Sequence, residues 1–168
     1  KSTASLYSPS IGSLNSEFRS FNNSNTFYGT YTSPDGPNRM LLVGISVRNR
    51  NDIFVISVKY NNLAMTEVAT IDNGENALVY IYRLVDPPVG AYYLDVDFNS
   101  TVTRAAVIGI ATLHGVHQTT PTGTPSSAIG SSLNMSLNIA STPGDLVVSV
   151  VSKRNATSTF TTPQTQEW

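Results

Sequence analysis

The stretch Ala77–Asn99, ALVYIYRLVDPPVGAYYLDVDFN, decides the fold of this chain. On both sides of Pro87 and Pro88 the apolar residues recur at every second position, which is the period of a β-strand with one buried face. The prolines donate no backbone hydrogen bond and therefore separate two strands. In the first strand the alternation places Leu78, Tyr80 and Tyr82 on one face. The opposite face carries Val79, Ile81 and Arg83. In the second strand it predicts an inward set and an outward set: Tyr92, Leu94, Val96 and Phe98 inward, and Tyr93, Asp95 and Asp97 outward.

Further short segments rich in β-branched and aromatic residues recur along the chain between turn residues. They are Arg39–Arg48, Ile53–Tyr60, Leu63–Ile71, Val102–Val116, Ser131–Ser141, Gly144–Arg154 and Ala156–Thr162. Within the second of these, the alternation predicts Phe54, Ile56 and Val58 on one face. The pairs Asn61-Asn62 and Asn73-Gly74 suit tight hairpin turns, because Asn and Gly tolerate a positive φ.

This series of strands, with turn signals roughly every 8 to 12 residues, predicts one fold class. It is all-β, an antiparallel two-sheet β-sandwich of the jelly-roll or immunoglobulin-like kind. A chain of 168 residues suits a single domain. Residues 1–35 are interpreted as an N-terminal arm or first strands, and residues 36–168 as the sandwich. The segment Ile11–Phe21 has apolar residues at helical spacing and is compatible with either a helix or a strand.

The charge and the rare residues restrict the classes of function. Charged residues make up 12% of the chain, its net charge is -1, and there is no run of Lys or Arg. The chain therefore offers no electrostatic attraction for nucleic acid or an anionic membrane, and no apolar run reaches the ~18 residues that span a bilayer. Cysteine is absent, which excludes disulfides and thiolate metal sites. Four N-x-S/T sequons are glycan acceptors in a secreted protein and favour an extracellular or cell-surface location: Asn22, Asn99, Asn134 and Asn155.

Five stretches together resemble a β-sandwich domain of secreted and surface proteins of bacteria and archaea, and of phage structural proteins. They are NRMLLVGISVRN, VISVKYNNLAMTEVA, ALVYIYRLVDPPVGAYYLDVDFN, GVHQTTPTGT and STPGDLVVSVVSKR, between Asn38 and Arg154. The resemblance implies a building block or binding module without assigned catalytic residues. Such domains often carry an acidic residue at the position of His117, so the resemblance does not support a shared metal site there.

Both histidines, His114 and His117, lie in the stretch LHGVHQTTP. Residues three apart on an extended chain point to opposite faces, so the two rings converge only if Gly115 bends the strand. The nearest acidic residues, Asp97 and Asp145, do not complete a local set of ligands. The sequence therefore favours packing roles for both histidines, and it predicts no metal, no cofactor and no catalytic residue.

Asp95 and Asp97 share one face of a strand, about 7 Å apart. Such a pair can bind calcium or act as acid and base on a glycosidic bond, but a solvated strand face is the favoured interpretation. An outward ring such as Tyr93 can stack on a sugar or a protein partner at small entropy cost. Tyr93, Asp95 and Asp97 are thus the predicted ligand-facing residues. Nucleophile-elbow and phosphate-loop motifs are missing, which disfavours an enzyme.

The N-terminal arm can form the first strand of its own sandwich or join the sheet of a neighbouring subunit. Its apolar residues are Leu6, Tyr7, Ile11 and Leu14. Strand addition that repeats head to tail generates filaments. The sequence predicts a non-enzymatic structural or adhesive subunit that self-associates into a homo-oligomer or polymer through a donor strand, either this arm or the C-terminal tail. A carbohydrate-binding module, with glycans as partners, and a phage or virus structural or decoration protein are the alternatives.

Overall fold

The computed structural model of the chain describes β-strands joined by turns and loops. The described residues are 10–11, 17–21, 23–48, 52–74, 77–104, 106–130 and 136–152. The strands within them are β1 (Ser10–Ile11), β2 (Glu17–Phe21), β3 (Ser24–Ser33), β4 (Met40–Val47), β5 (Val55–Tyr60), β6 (Leu63–Ala64), β7 (Thr66–Asp72), β8 (Leu78–Val85), β9 (Gly90–Val102) and β10 (Ala106–His114). None of these residues is helical, so the all-β class is confirmed, and the part of Ile11–Phe21 that is described is extended.

Strands from the first half of the chain pair with strands from the second half in nested order. β2 pairs with β10, β3 with β9, β4 with β8 and β5 with β6, all antiparallel. These nested pairs form one long hairpin. The hairpin folds over on itself, so that β4 lies beside β10 in one sheet and β5 lies beside β9 in the other. Sheet A has the order β1–β10–β4–β8–β7, with β2 on the same edge of β10 as β1, and sheet B has the order β3–β9–β5–β6. The predicted sandwich is confirmed, and the nested pairing makes it a jelly roll.

The core lies between the inner faces of the two sheets and follows the predicted period of two. In β9 the residues Leu94, Val96 and Phe98 are buried, whereas Tyr93 on the opposite face is exposed. The inward residues of β4 and β8 complete the centre of this core: Leu41, Val43, Ile45, Val47, Leu78, Tyr80 and Tyr82. Each fully buried side chain of this size contributes about 1.5–3 kcal/mol. The inward and outward sets predicted for Ala77–Asn99 are therefore confirmed.

The alternation predicted for β5 is wrong at its first residues. Phe54 and Ile56 are 50% and 62% exposed, while Ile53, Val55 and Val58 are buried. The reason is an irregularity in the pairing with β9, where Val55 and Ser57 stand opposite two consecutive residues of β9. Ile56 is the extra residue of a β-bulge, which reverses the face of every residue before it.

Tyrosine hydroxyls connect the strands inside the sandwich. The Tyr31 hydroxyl lies 3.0 Å from the Thr112 hydroxyl and so joins β3 to β10 across the core. The Val55 amide donates to the Tyr80 hydroxyl, which joins β5 to β8. Burial raises the pKa of Tyr80 and of Tyr82. These contacts place β3 over β10 and β5 over β8.

The tight turn predicted at Asn61-Asn62 is present, whereas a longer loop replaces the one predicted at Asn73-Gly74. Asn61 and Asn62 have φ of 50° and 60° and form the two-residue connection between Tyr60 and Leu63, as expected for a primed turn. The second hairpin is longer than the pair Asn73-Gly74 alone, because the Asn73 amide donates to the Ala77 carbonyl at 3.1 Å. Gly74, with φ of 73°, supplies the left-handed residue of that loop.

The two strands predicted at Ser131–Ser141 and Gly144–Arg154 are not formed in residues 136–152, which contain no strand. A strand requires a neighbour that accepts its backbone hydrogen bonds, and neither sheet extends to this segment. The segment turns at 142–145, where the Asp145 carboxylate accepts from the amide and the hydroxyl of Thr142. Residues 156–162, also predicted as a strand, lie outside the described residues.

A second, smaller hydrophobic cluster covers the outer face of sheet A. Met40, Leu42, Leu113 and Val116 are buried there, and Ile81 and Val148 pack against them. The cluster holds the chain after β10 against its own sheet. Within residues 136–152, Val148 thus attaches the chain to the outer face of sheet A, and these residues join neither sheet.

Candidate functional site

The outer face of sheet B carries a pair of exposed tyrosines. Tyr28 of β3 and Tyr93 of β9 are 62% and 53% exposed. Their ring centroids are 4.2 Å apart and their planes differ by 17°, so the rings are stacked. The register places Tyr28 opposite Asp95 and Thr30 opposite Tyr93, which makes the stack a diagonal contact between neighbouring strands.

A shallow cavity of about 200 Å³ lies beside the stacked rings. Its lining residues are Tyr28, Asn61, Asn62, Ala91, Tyr92, Tyr93 and Asp95. The turn that bears the two asparagines is held against β9, since the Asn61 amide donates to the Tyr93 carbonyl at 3.0 Å. Aromatic rings, side-chain amides and a carboxylate therefore meet on one rigid surface.

The two predicted carboxylates lie on this outer face but have different surroundings. The Asp97 oxygens accept from the Thr26 hydroxyl at 3.0 Å and from the Ser57 hydroxyl at 2.9 Å. Asp97 thus ties β3, β9 and β5 together, which is a structural role. The Asp95 Oδ1, by contrast, is shielded from solvent and has no hydrogen-bond partner in the described part of the chain.

The environment of Asp95 disfavours its charged form. Desolvation by burial raises the pKa of Asp95, and the neighbouring charge of Asp97 raises it further. Lys59 opposite Asp95 on β5 acts in the other direction. A carboxylate with a raised pKa that lines a cavity is a group suited to binding a ligand.

We expect Asp95→Asn to raise the free energy of unfolding near pH 7 by up to about 1 kcal/mol. Because the pKa of Asp95 is raised in the folded state, its contribution to stability is present below the unfolded pKa and is lost as pH rises through the folded value. The gain should therefore vanish near pH 3, below both values. Urea denaturation at the two pH values measures it. Asp97→Asn is the control and should not gain stability, because Asp97 is fully hydrogen-bonded.

The two histidines have different surroundings. Gly115 has φ of 67° and does bend the chain between them. The His114 ring packs against Gly36, where a Cβ would lie within van der Waals overlap of its Cε1 atom. The His117 Nδ1 accepts from the Thr120 amide at 3.0 Å and so caps a local turn. The packing roles that the sequence favours agree with this placement.

The other residues singled out in the sequence are placed only in part. Asn99 is exposed on β9, and its side chain bridges the Asp52 carbonyl and the Phe54 amide. The remaining sequons, Asn22, Asn134 and Asn155, lie outside the described residues. In the arm, Ile11 lies in β1, which pairs with β10 of its own chain, whereas Leu6, Tyr7 and Leu14 lie outside the described residues.

The chain was compared with protein families, curated proteins and solved structures. No family model, curated protein or solved structure matches the chain. Within the described residues, no three His, Asp or Glu side chains come together in a way that could hold a metal ion. The same part of the chain has no helix with the length and hydropathy needed to cross a membrane.

The cavity residues that the sequence did not assign to a site are Tyr28, Asn61, Asn62, Ala91 and Tyr92. The alternation in TFYGTY already places Tyr28 on the face opposite to Phe27 and Tyr31, so its exposure was predictable. Its position beside Tyr93 was not, because the register between β3 and β9 joins residues far apart in sequence.

Proposed function

We propose that this chain is a non-enzymatic structural subunit that self-associates by β-strand addition in an extracellular or cell-surface assembly. One observation carries the proposal. The same chain holds a long, uncharged sheet edge and a strand-patterned segment that is not in a strand. The largely uncharged polar surface and the exposed sequon at Asn99 support the extracellular setting.

The acceptor in this proposal is the outer edge of β3. β3 is 10 residues long, and in the described part of the chain it pairs only with β9. Its sequence, SNTFYGTYTS, contains no charged residue and no proline. Native proteins normally protect such an edge with charges, prolines, bulges or very short strands, because an open edge accepts further strands. β3 has no charges and no prolines and is not short, and the irregularity in its pairing with β9 is confined to its first residues, between Ser24 and Thr26.

Two other edge strands are charged or short, whereas β3 is neither. β7, at the far edge of sheet A, carries Glu67 and Asp72 and has a pairing irregularity next to Glu67. The far edge of sheet B ends in β6, which has 2 residues. β3 is therefore better suited than these two edges to receive a strand.

The donor in this proposal is the segment 136–141, SLNIAS. Leu137 and Ile139 are 47% and 39% exposed, and the polar residues Ser136 and Asn138 alternate with them. This is the pattern of a strand with one apolar face. The jelly roll is already complete at β10, so the segment is available to a second copy. Repeated head to tail, this exchange gives a filament.

We expect the double substitution Leu137→Asp with Ile139→Asp to abolish assembly. Losing the burial of two side chains of this size costs about 3 kcal/mol or more, which is roughly a hundredfold in association. Asn138→Asp with Ala140→Asp adds the same charge at exposed positions on the opposite face and should leave assembly nearly unchanged. Sedimentation velocity and electron microscopy of both double variants and the parent chain measure the effect. Equal loss in both double variants would show that charge alone, and not a buried strand face, controls assembly.

A cross-linking experiment separates exchange between copies from pairing within one chain. The chain has no cysteine, so Thr30→Cys and Asn138→Cys each introduce a single thiol, at exposed positions on β3 and on the donor segment. An oxidised mixture of the two variants should form a heterodimer under denaturing electrophoresis. A double variant that closes an intramolecular disulfide at high dilution, with no heterodimer in the mixture, would overturn the proposal.

A further inference from the structure

The outer face of sheet B has features that self-assembly does not require. Tyr28 and Tyr93 expose more than half of their surfaces although each is a large, partly apolar ring. The two rings are held by antiparallel strands rather than by a loop, so their mutual geometry is rigid. A rigid, exposed aromatic surface binds a partner with little loss of side-chain entropy.

The cavity beside the rings is small and of mixed polarity. Its volume of about 200 Å³ is below the roughly 300–1,000 Å³ of sites that enclose drug-sized molecules. Asn61 and Asn62 line it, and each side-chain amide offers two N–H donors and one acceptor. The space is suited to one ring with polar substituents, bound at the surface.

In the part of the chain that the structure describes, Asp95 supplies an unpaired hydrogen-bond acceptor at the wall of this cavity, although its Oδ1 is shielded from solvent in its present position. It lines the cavity, and its Oδ1 has no donor among the described residues. The terminal bond of an Asp side chain rotates over a broad range, so either oxygen can turn to a ligand. A ligand hydroxyl would donate a charge-assisted hydrogen bond to this carboxylate and relieve an unpaired group.

We propose that this surface is a binding subsite for a neutral saccharide. A sugar ring has a face of C–H groups that packs on the electron-rich face of a tyrosine, and an edge of hydroxyls that pairs with carboxylates and amides. The neighbouring charges of Asp95 and Asp97 disfavour anionic sugars. A wholly apolar ligand would leave Asp95 unpaired. The neutral saccharide is the ligand class that satisfies both the rings and the carboxylate.

The test is binding of neutral oligosaccharides to the full chain. Cello-, malto-, manno- and chito-oligosaccharides of about four to six units are titrated by isothermal calorimetry, with affinity electrophoresis in the matching polysaccharides. At least one series should bind, and Tyr93→Ala should weaken it at least tenfold. Tyr93→Phe should retain most of the binding. Phe54→Ala, which removes an exposed ring outside the cavity, is the matched control and should have no effect.

A second variant separates recognition from folding. Asp95→Asn should weaken saccharide binding severalfold while making the fold more stable near pH 7, a combination that a purely structural residue does not produce. No measurable binding of any of the four series at millimolar ligand would overturn the proposal. So would tighter binding of sulfated or uronate oligosaccharides, or unchanged affinity in Tyr93→Ala. The result of the saccharide titrations does not depend on strand addition, because strand addition is tested separately by the assembly experiments.

Discussion

Tyr60→Ala is expected to lower the free energy of unfolding by about 3–5 kcal/mol, the cost of removing a buried aromatic ring. Tyr60 is 0% exposed, at the centre of the core. Its ring makes edge contacts with Tyr31 and Tyr92, at centroid distances of 6.2 Å and 5.9 Å. Its hydroxyl lies 3.0 Å from the carbonyl oxygens of both Tyr31 and Gly90, which share its proton. Alanine removes all of these contacts and leaves a cavity between the sheets.

Urea denaturation of Tyr60→Ala, Tyr60→Phe and the parent chain measures how the ring and the hydroxyl contribute. Tyr60→Phe keeps the ring and loses only the hydrogen bond, so we expect a cost of about 1 kcal/mol. Tyr28→Ala is the control, since it removes an exposed tyrosine and should cost less than about 1 kcal/mol. Equal losses for the buried and the exposed tyrosine would contradict the placement of the core.

Tyr60 also determines part of the change in folding stability at alkaline pH. Burial raises the pKa of Tyr60 from 10.0 to about 12. A group whose folded pKa is raised contributes stability below the unfolded value, and this contribution is lost as pH rises through the folded value. The parent chain should therefore lose stability between about pH 10 and pH 12, and Tyr60→Phe should lose less over that interval.

Arg39→Ala is expected to cost about 2–3 kcal/mol, more than a surface ion pair would predict. The Arg39 guanidinium is only 17% exposed, although the carboxylates that it meets, Asp35 and Asp86, are 84% and 70% exposed. It also donates to the Gly36 carbonyl at 2.8 Å and to the Pro87 carbonyl at 3.1 Å. These bonds join the loop before β4 to the loop between β8 and β9. Most of the cost comes from the carbonyls left unpaired.

Arg39→Lys tests this explanation, because a single ammonium cannot donate in all of these directions at once. We expect Arg39→Lys to recover less than half of the stability lost in Arg39→Ala. Arg104→Ala, at an exposed position, is the control and should change stability by less than about 0.5 kcal/mol. Thermal or urea denaturation at low and high salt completes the experiment. If salt alone removed the whole difference between the parent chain and Arg39→Ala, the exposed ion pairs and not the carbonyls would carry the effect.

The strands and their buried faces could be predicted because they depend on local pattern. In β9 the alternation from Tyr92 to Phe98 requires only that one face be buried, and any sheet with a core satisfies that requirement. The Asn61-Asn62 turn was predictable for the same kind of reason, since positive φ at two successive residues is available to few residue types.

The predictions that failed concern features that are set by the neighbouring strand in the sheet. Ile56 is exposed because β5 bulges against β9, and nothing in VISVKY alone encodes the partner's register. Leu137 and Ile139 have the alternation of a strand, yet the chain forms none there. A strand exists only when a neighbour accepts its backbone hydrogen bonds, and in the described part of the chain this segment pairs with neither sheet.

By itself the sequence determined the all-β class, the inner and outer faces of β8 and β9, and the absence of any cysteine chemistry. Only the tertiary structure decided that Tyr28 stacks on Tyr93, that Asp95 Oδ1 is left unpaired among the described residues while Asp97 is satisfied, and that β3 lies at the edge of its sheet. The physical reason is that side-chain direction follows from the period of two within one strand, whereas neighbours on a sheet are set by hydrogen-bond register between strands that are distant in the chain.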